Sequence, residues 1–68
     1  MRLEDAMVYV LANAGIGLTT QDIADVINRD GLHIRRDCKP VSSAQVYAVV
    51  CRNQAIFVKD GGRILLIM

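Results

Sequence analysis

Apolar residues recur at spacings of three and four through Leu3, Ala6, Met7, Val10, Leu11 and Ala14, the period of one face of an α-helix. The pattern predicts a first helix over residues 3–14, with Gly15 as its stop. A second stripe, Ile23, Val26 and Ile27, follows Thr19-Thr20-Gln21-Asp22. There a threonine oxygen accepts from the free amides of the first turn, and Asp22 favours the positive end of the helix dipole. Gln21, Asp22 and Asp25 then point outward. Gly17-Leu18-Thr19 fits a very short strand ahead of this helix, and Asn28-Arg29-Asp30-Gly31 ends it, since glycine takes the left-handed conformation that closes helices. Further on, Pro40 disfavours helical geometry at Lys39. Ser42-Ser43-Ala44-Gln45 reads as a capping box, which predicts a third helix to Arg52 or Asn53 with Val46, Val49 and Val50 turned inward.

The period then changes. Residues 55–59 (Ala-Ile-Phe-Val-Lys) and 63–67 (Arg-Ile-Leu-Leu-Ile) are rich in strand formers, and Asp60-Gly61-Gly62 between them tolerates the positive φ of a tight hairpin turn. The order helix, short strand, helix, helix, hairpin predicts an α+β winged helix-turn-helix. A three-helix core carries a C-terminal two-stranded β-hairpin as wing, in one domain over residues 1–68. Helix-turn-helix geometry makes the third helix the candidate groove reader and the second its support.

Composition narrows the functions open to such a fold. A chain of 68 residues buries only about 60% of the surface it exposes when unfolded, so an enzyme cleft is not expected. Hydrophobic residues make up 53%, more than so small an interior easily hides, and some are expected to meet a partner. The net charge of +1 conceals a division along the chain. Residues 1–34 set Arg2 and Arg29 against Glu4, Asp5, Asp22, Asp25 and Asp30, a net of −3. Residues 35–68 set Arg35, Arg36, Lys39, Arg52, Lys59 and Arg63 against Asp37 and Asp60, a net of +4. If the fold separates the halves, one end attracts polyanions.

That division gives the candidate nucleic-acid contacts. Arg35, Arg36 and Lys39 lie in the connector just ahead of the third helix, where each base can displace counterions from a duplex backbone; the alternative is a loop charged for solubility. Ser42 and Ser43, beside the free amides of that helix, suit a phosphate, and Ser42 also caps. The outward arc of the helix is Ala44, Ala48 and Cys51, flanked by Gln45 and Arg52 on one side and Tyr47 on the other. Gln45 suits an adenine edge, Arg52 a guanine or a phosphate, and the alanines allow close approach to thymine methyls. The same Ala44, Ala48 and Cys51 stripe equally suits packing against another helix or a second copy of the chain. Lys59 and Arg63 flank the hairpin tip as wing contacts, or as charges that discourage edge pairing. On the first helix, Val8, Tyr9 and Ala12 make the outer side more apolar than a lone helix requires. A neighbour covers them or they bind a partner.

Several matched positions together resemble a known family. They are Ala6, Val10-Leu11, Gly15, Leu18-Thr19, Ile23-Ala24, Ile27, Gly31-Leu32, Lys39-Pro40, Val46, Val49-Val50, Ile56-Phe57-Val58, Gly62-Arg63-Ile64 and Leu66. The pattern, spanning about residues 3–67, resembles the HARE-type helix-turn-helix domain. This winged-helix family occurs in chromatin regulators, in some bacterial restriction-modification proteins and, in a related form, in the RNA polymerase delta subunit. The resemblance implies work on double-stranded DNA in transcription regulation or DNA modification. It also admits a protein-interaction or dimerisation module without direct DNA binding, because the family includes members that bind proteins.

Other chemistry finds little support. Cys38 and Cys51 are too few for a disulfide scaffold, and with His33 they lack the paired spacing of a metal site, so no metal or other cofactor is expected. His33 is expected to be half-buried. It has no evident nucleophile partner, and no glycine-rich phosphate loop precedes a helix, so no catalytic residue is assigned. Without a signal-like start or an apolar run near the ~20 residues of a membrane span, a cytoplasmic location is expected.

Overall fold

The computed structural model describes residues 1–67 and contains, in order, α1 (Leu3–Ala14), α2 (Thr20–Asp30), α3 (Ser43–Arg52), β1 (Phe57–Asp60) and β2 (Arg63–Leu66). Met68, the last residue of the C-terminal apolar run, lies outside the described residues.

Local chemistry sets the helix bounds. Thr19 Oγ1 accepts from the Asp22 amide at 3.1 Å to start α2. At α3 the capping box is complete: Ser42 Oγ accepts from the Gln45 amide at 3.3 Å, while Gln45 Oε1 accepts from the Ser42 amide at 3.0 Å. Gly15 and Gly31 close α1 and α2 in the left-handed conformation, at φ 67° and 62°.

β1 and β2 pair antiparallel in the register Phe57↔Leu66 to Asp60↔Arg63. That register leaves Gly61 and Gly62 as a two-residue turn, at φ 57° and 84°, the sign that a tight primed hairpin turn requires at both positions. β1 begins at Phe57, later than the run from Ala55 predicts. The Ile56 and Phe57 amides both donate to the Asn53 carbonyl and turn the chain out of α3, so Ala55 and Ile56 belong to that turn. The short strand expected near Leu18 is a single antiparallel bridge to Ile64, with backbone bonds in both directions.

One apolar core joins these elements. Phe57, Met7, Ile23, Ile27, Ile64, Val46 and Val49 are its largest fully buried side chains, and among the described residues no polar or charged residue is buried with them. The stripe of α2 differs from the expected one: Ile23, Ala24 and Ile27 are buried and Val26 only partly so. Ala24 lies on the arc shared with Ile23 and Ile27, whereas Val26 is at its edge and lines a groove beside α1. α2 packs chiefly on α3 and then on α1, and the hairpin closes against α1 and α3.

Residues 31–42 join α2 to α3, far longer than the ~3–4-residue turn of a simple helix-turn-helix. Asn28 ties this connector down, its Oδ1 accepting from the Val41 amide at 2.8 Å and its Nδ2 donating to the Val41 carbonyl at 2.9 Å. Val41 is thereby held in the core, next to the start of α3. Three helices followed by a two-stranded antiparallel hairpin make a small α+β domain compatible with a winged helix. No helix among the described residues is long and apolar enough to cross a membrane.

Candidate nucleic-acid interface

The connector divides its cations between two states. Arg35 is bound inward: its Nη2 meets Asp37 Oδ2 at 3.0 Å, and its Nη1 donates to Gln45 Oε1 at 3.3 Å and to the Pro40 carbonyl at 3.4 Å. With 31% of its side chain exposed, it spans the loop and the first turn of α3. Asp37 also accepts from the Lys39 amide at 3.1 Å. A turn formed by the Cys38 amide and the Arg35 carbonyl places Cys38 at φ 60°. Arg36 and Lys39 are exposed on this braced loop. The ion pairs among the described residues, Arg2–Glu4, Arg29–Asp30 and Arg35–Asp37, leave both without a carboxylate.

α3 presents the arc that its period predicts. Val46, Val49 and Val50 are buried, while Ala44, Tyr47, Ala48, Cys51 and Arg52 are exposed. Two flanks of that arc carry positive charge. Arg52 stands on the side shared with Gln45, about two turns along α3 from where Arg35 is seated. On the other side Lys59 reaches back from β1, its Nζ 5.1 Å from the centre of the Tyr47 ring. A cation over an aromatic face at this distance is attracted by the ring quadrupole, so the pair adds a contact between the wing and α3 to the buried packing of Phe57. A shallow groove of about 270 Å³ runs between them, floored by Val50 and Phe57.

Other expected contacts are placed differently. Arg63 is engaged within the fold: its Nη1 donates to the Gly17 carbonyl at 3.0 Å and anchors the segment before α2 to the hairpin. Ser42 serves as cap. Ser43, the first residue of α3, is half-buried. Gln45 is also half-buried, and its Oε1 accepts from both Ser42 and Arg35. An adenine edge needs an acceptor and a donor from one amide, and the acceptor is already occupied.

On α1, Val8 is partly buried against the core, whereas Tyr9 and Ala12 are exposed, Tyr9 by 51%. Tyr9 borders a groove of about 330 Å³ between α1 and α2 that also takes in Val26, Arg29 and Asp30. There Arg29 holds the Asp30 carboxyl below its ordinary range by a direct hydrogen bond, and Asp30 raises Arg29 in return. Both side chains are exposed, so water and salt screen the pair.

His33 is half-buried, and its Nδ1 lies 2.7 Å from the Met1 carbonyl. Cys38 and Cys51 are free thiols on the surface. Among the described residues no group of three or more His, Cys, Asp or Glu side chains is placed to hold a metal ion.

Two residues that position the candidate interface carry no motif in the sequence. Asn28 looks like part of a helix end, and its bond to Val41 spans thirteen residues. Gly17 looks like a loop residue, yet a Cβ there would fall 2.7 Å from Leu65 Cδ2 and 3.2 Å from Arg63 Cβ. Only a glycine allows that close approach without a shift in β2. No family model matches the chain, and no match is found among curated proteins or solved structures.

Proposed function

We propose that the chain is a winged helix-turn-helix domain that binds double-stranded DNA, mainly through its phosphates, with α3 as the groove element. The observation that carries this reading is the exposed arc of α3, flanked by Arg52 on one side and by Lys59 over Tyr47 on the other. Arg36 and Lys39 stand on the connector that leads into its N-terminus. A helix seated in a major groove about 12 Å wide meets a phosphate backbone on each side, which is where these flanks lie. Small Ala44 and Ala48 on the arc permit close approach, and Ala44 and Cys51 extend an apolar strip suited to thymine methyls. The long connector takes the place of a short turn, held by Asn28 on Val41 and Arg35 on Gln45. In this reading the domain performs no catalysis, needs no cofactor, and acts in the cytoplasm in regulation or DNA modification.

A second reading, docking to a protein or to a second copy, has one observation in its favour. Tyr9 and Ile16 are large, apolar and more than half exposed, and Tyr9 borders the α1–α2 groove.

Titration of the labelled chain with a short duplex, followed by amide chemical shifts, separates the two. The DNA reading expects movement at Arg36, Lys39, residues 44–52 and Lys59. No movement with duplex, or movement confined to Tyr9, Ala12 and the α1–α2 groove, would overturn it.

A further inference from the structure

The bonds around Gln45 bear on which base edge the domain reads, and the inference rests on the DNA reading above. The Ser42 amide and the Arg35 guanidinium are both obligate donors, and both point at the same Gln45 atom, at 3.0 and 3.3 Å. That atom must therefore be the carbonyl oxygen, so the orientation of the amide is fixed by its neighbours. What remains is Nε2, which makes no hydrogen bond among the described residues. Arg35 is in turn held by Asp37 and the Pro40 carbonyl, so the lock does not depend on Gln45 alone.

We infer that Arg35 is a positioning residue, not a phosphate ligand, and that by occupying Gln45 Oε1 it makes Gln45 a donor-only reader of the major groove. A donor alone pairs with the N7 and O6 of guanine or the O4 of thymine; on adenine it meets a single acceptor, N7, beside the N6 amino donor, and it cannot complete the paired acceptor and donor contact that selects that base. Arg52, on the same flank of α3, also only donates. Together they give a reading surface with hydrogen-bond donors at one edge and apolar alanines beside it. The favoured base steps present acceptors and thymine methyls.

Selection from random duplexes with the intact chain tests this. Guanine or thymine is expected at one position, with that preference lost in Gln45→Ala. Arg35→Ala is expected to admit adenine there while leaving the salt dependence of binding unchanged, because no phosphate contact is removed. For the unaltered protein, replacing a preferred guanine by 7-deazaguanine, or a preferred thymine by a pyrimidine lacking O4, should weaken binding about fivefold, the worth of roughly one hydrogen bond. That arm requires no variant to fold. An adenine preference that Gln45→Ala abolishes, no preference at any position, or an Arg35→Ala salt slope reduced as by one lost phosphate contact would each overturn the inference. Failure of the chain to bind any duplex at low salt would instead remove the reading beneath it.

Discussion

Asn28 shows how one side chain sets the geometry of a distant element. Its amide pairs with both backbone groups of Val41 and so fixes where the connector re-enters the core and where α3 starts. Removing a side chain that satisfies two partly buried backbone groups costs about 1–3 kcal/mol. Asn28→Ala is expected to lower unfolding free energy by about that much in a denaturant titration, while Asn13→Ala, whose amide bonds only within α1, should cost less. Equal losses for both would mean that the connector is not anchored at this point. None of this is visible in the sequence, where Asn28 differs little from any polar residue near a helix end. The same holds for Arg35: its charge is evident, but whether it faces solvent or Gln45 depends on how a loop folds back over ten residues.

At the scale of elements the sequence is far more legible, because the determinants are local. Thr19, Ser42 and Gln45 mark helix starts within four residues, and Gly15 and Gly31 mark ends. The Gly61-Gly62 pair sets the hairpin register by its φ alone. Less legible were the start of β1, displaced by the turn on the Asn53 carbonyl, and the choice of Ala24 over Val26 for the core, which depends on where α1 and α3 lie. The hairpin gives a direct check. A non-glycine residue at φ 84° is strained, and a left-handed conformation costs about 1–2 kcal/mol. Gly62→Ala is therefore expected to lower stability by about that amount. It should also weaken the Lys59–Tyr47 contact, read as a change in the ring shifts of Tyr47. An unchanged melting temperature would argue against the two-residue turn.

For the whole molecule, the division of charge between the two halves of the chain becomes a spatial question. Of the six cations in the second half, Arg52 and Lys59 flank α3, and Arg36 and Lys39 stand on the connector before it. Arg35 and Arg63 are spent on internal bonds. Of the six cations the sequence proposes, four are thus left with neither a hydrogen bond from the side chain nor a carboxylate partner among the described residues, and under the DNA reading the number of phosphates to be neutralised falls with them. This gives the account a quantity to measure. Affinity for a mixed-sequence duplex should fall with salt, with a log–log slope of about −0.9 for each phosphate contacted. The decisive measurement is that slope for the intact chain beside a variant carrying Arg36→Ala, Lys39→Ala and Lys59→Ala. The account predicts duplex binding that tightens as salt is lowered, and a slope smaller by roughly three phosphate contacts in the variant. No binding at low salt, or the same slope in both proteins, would contradict it.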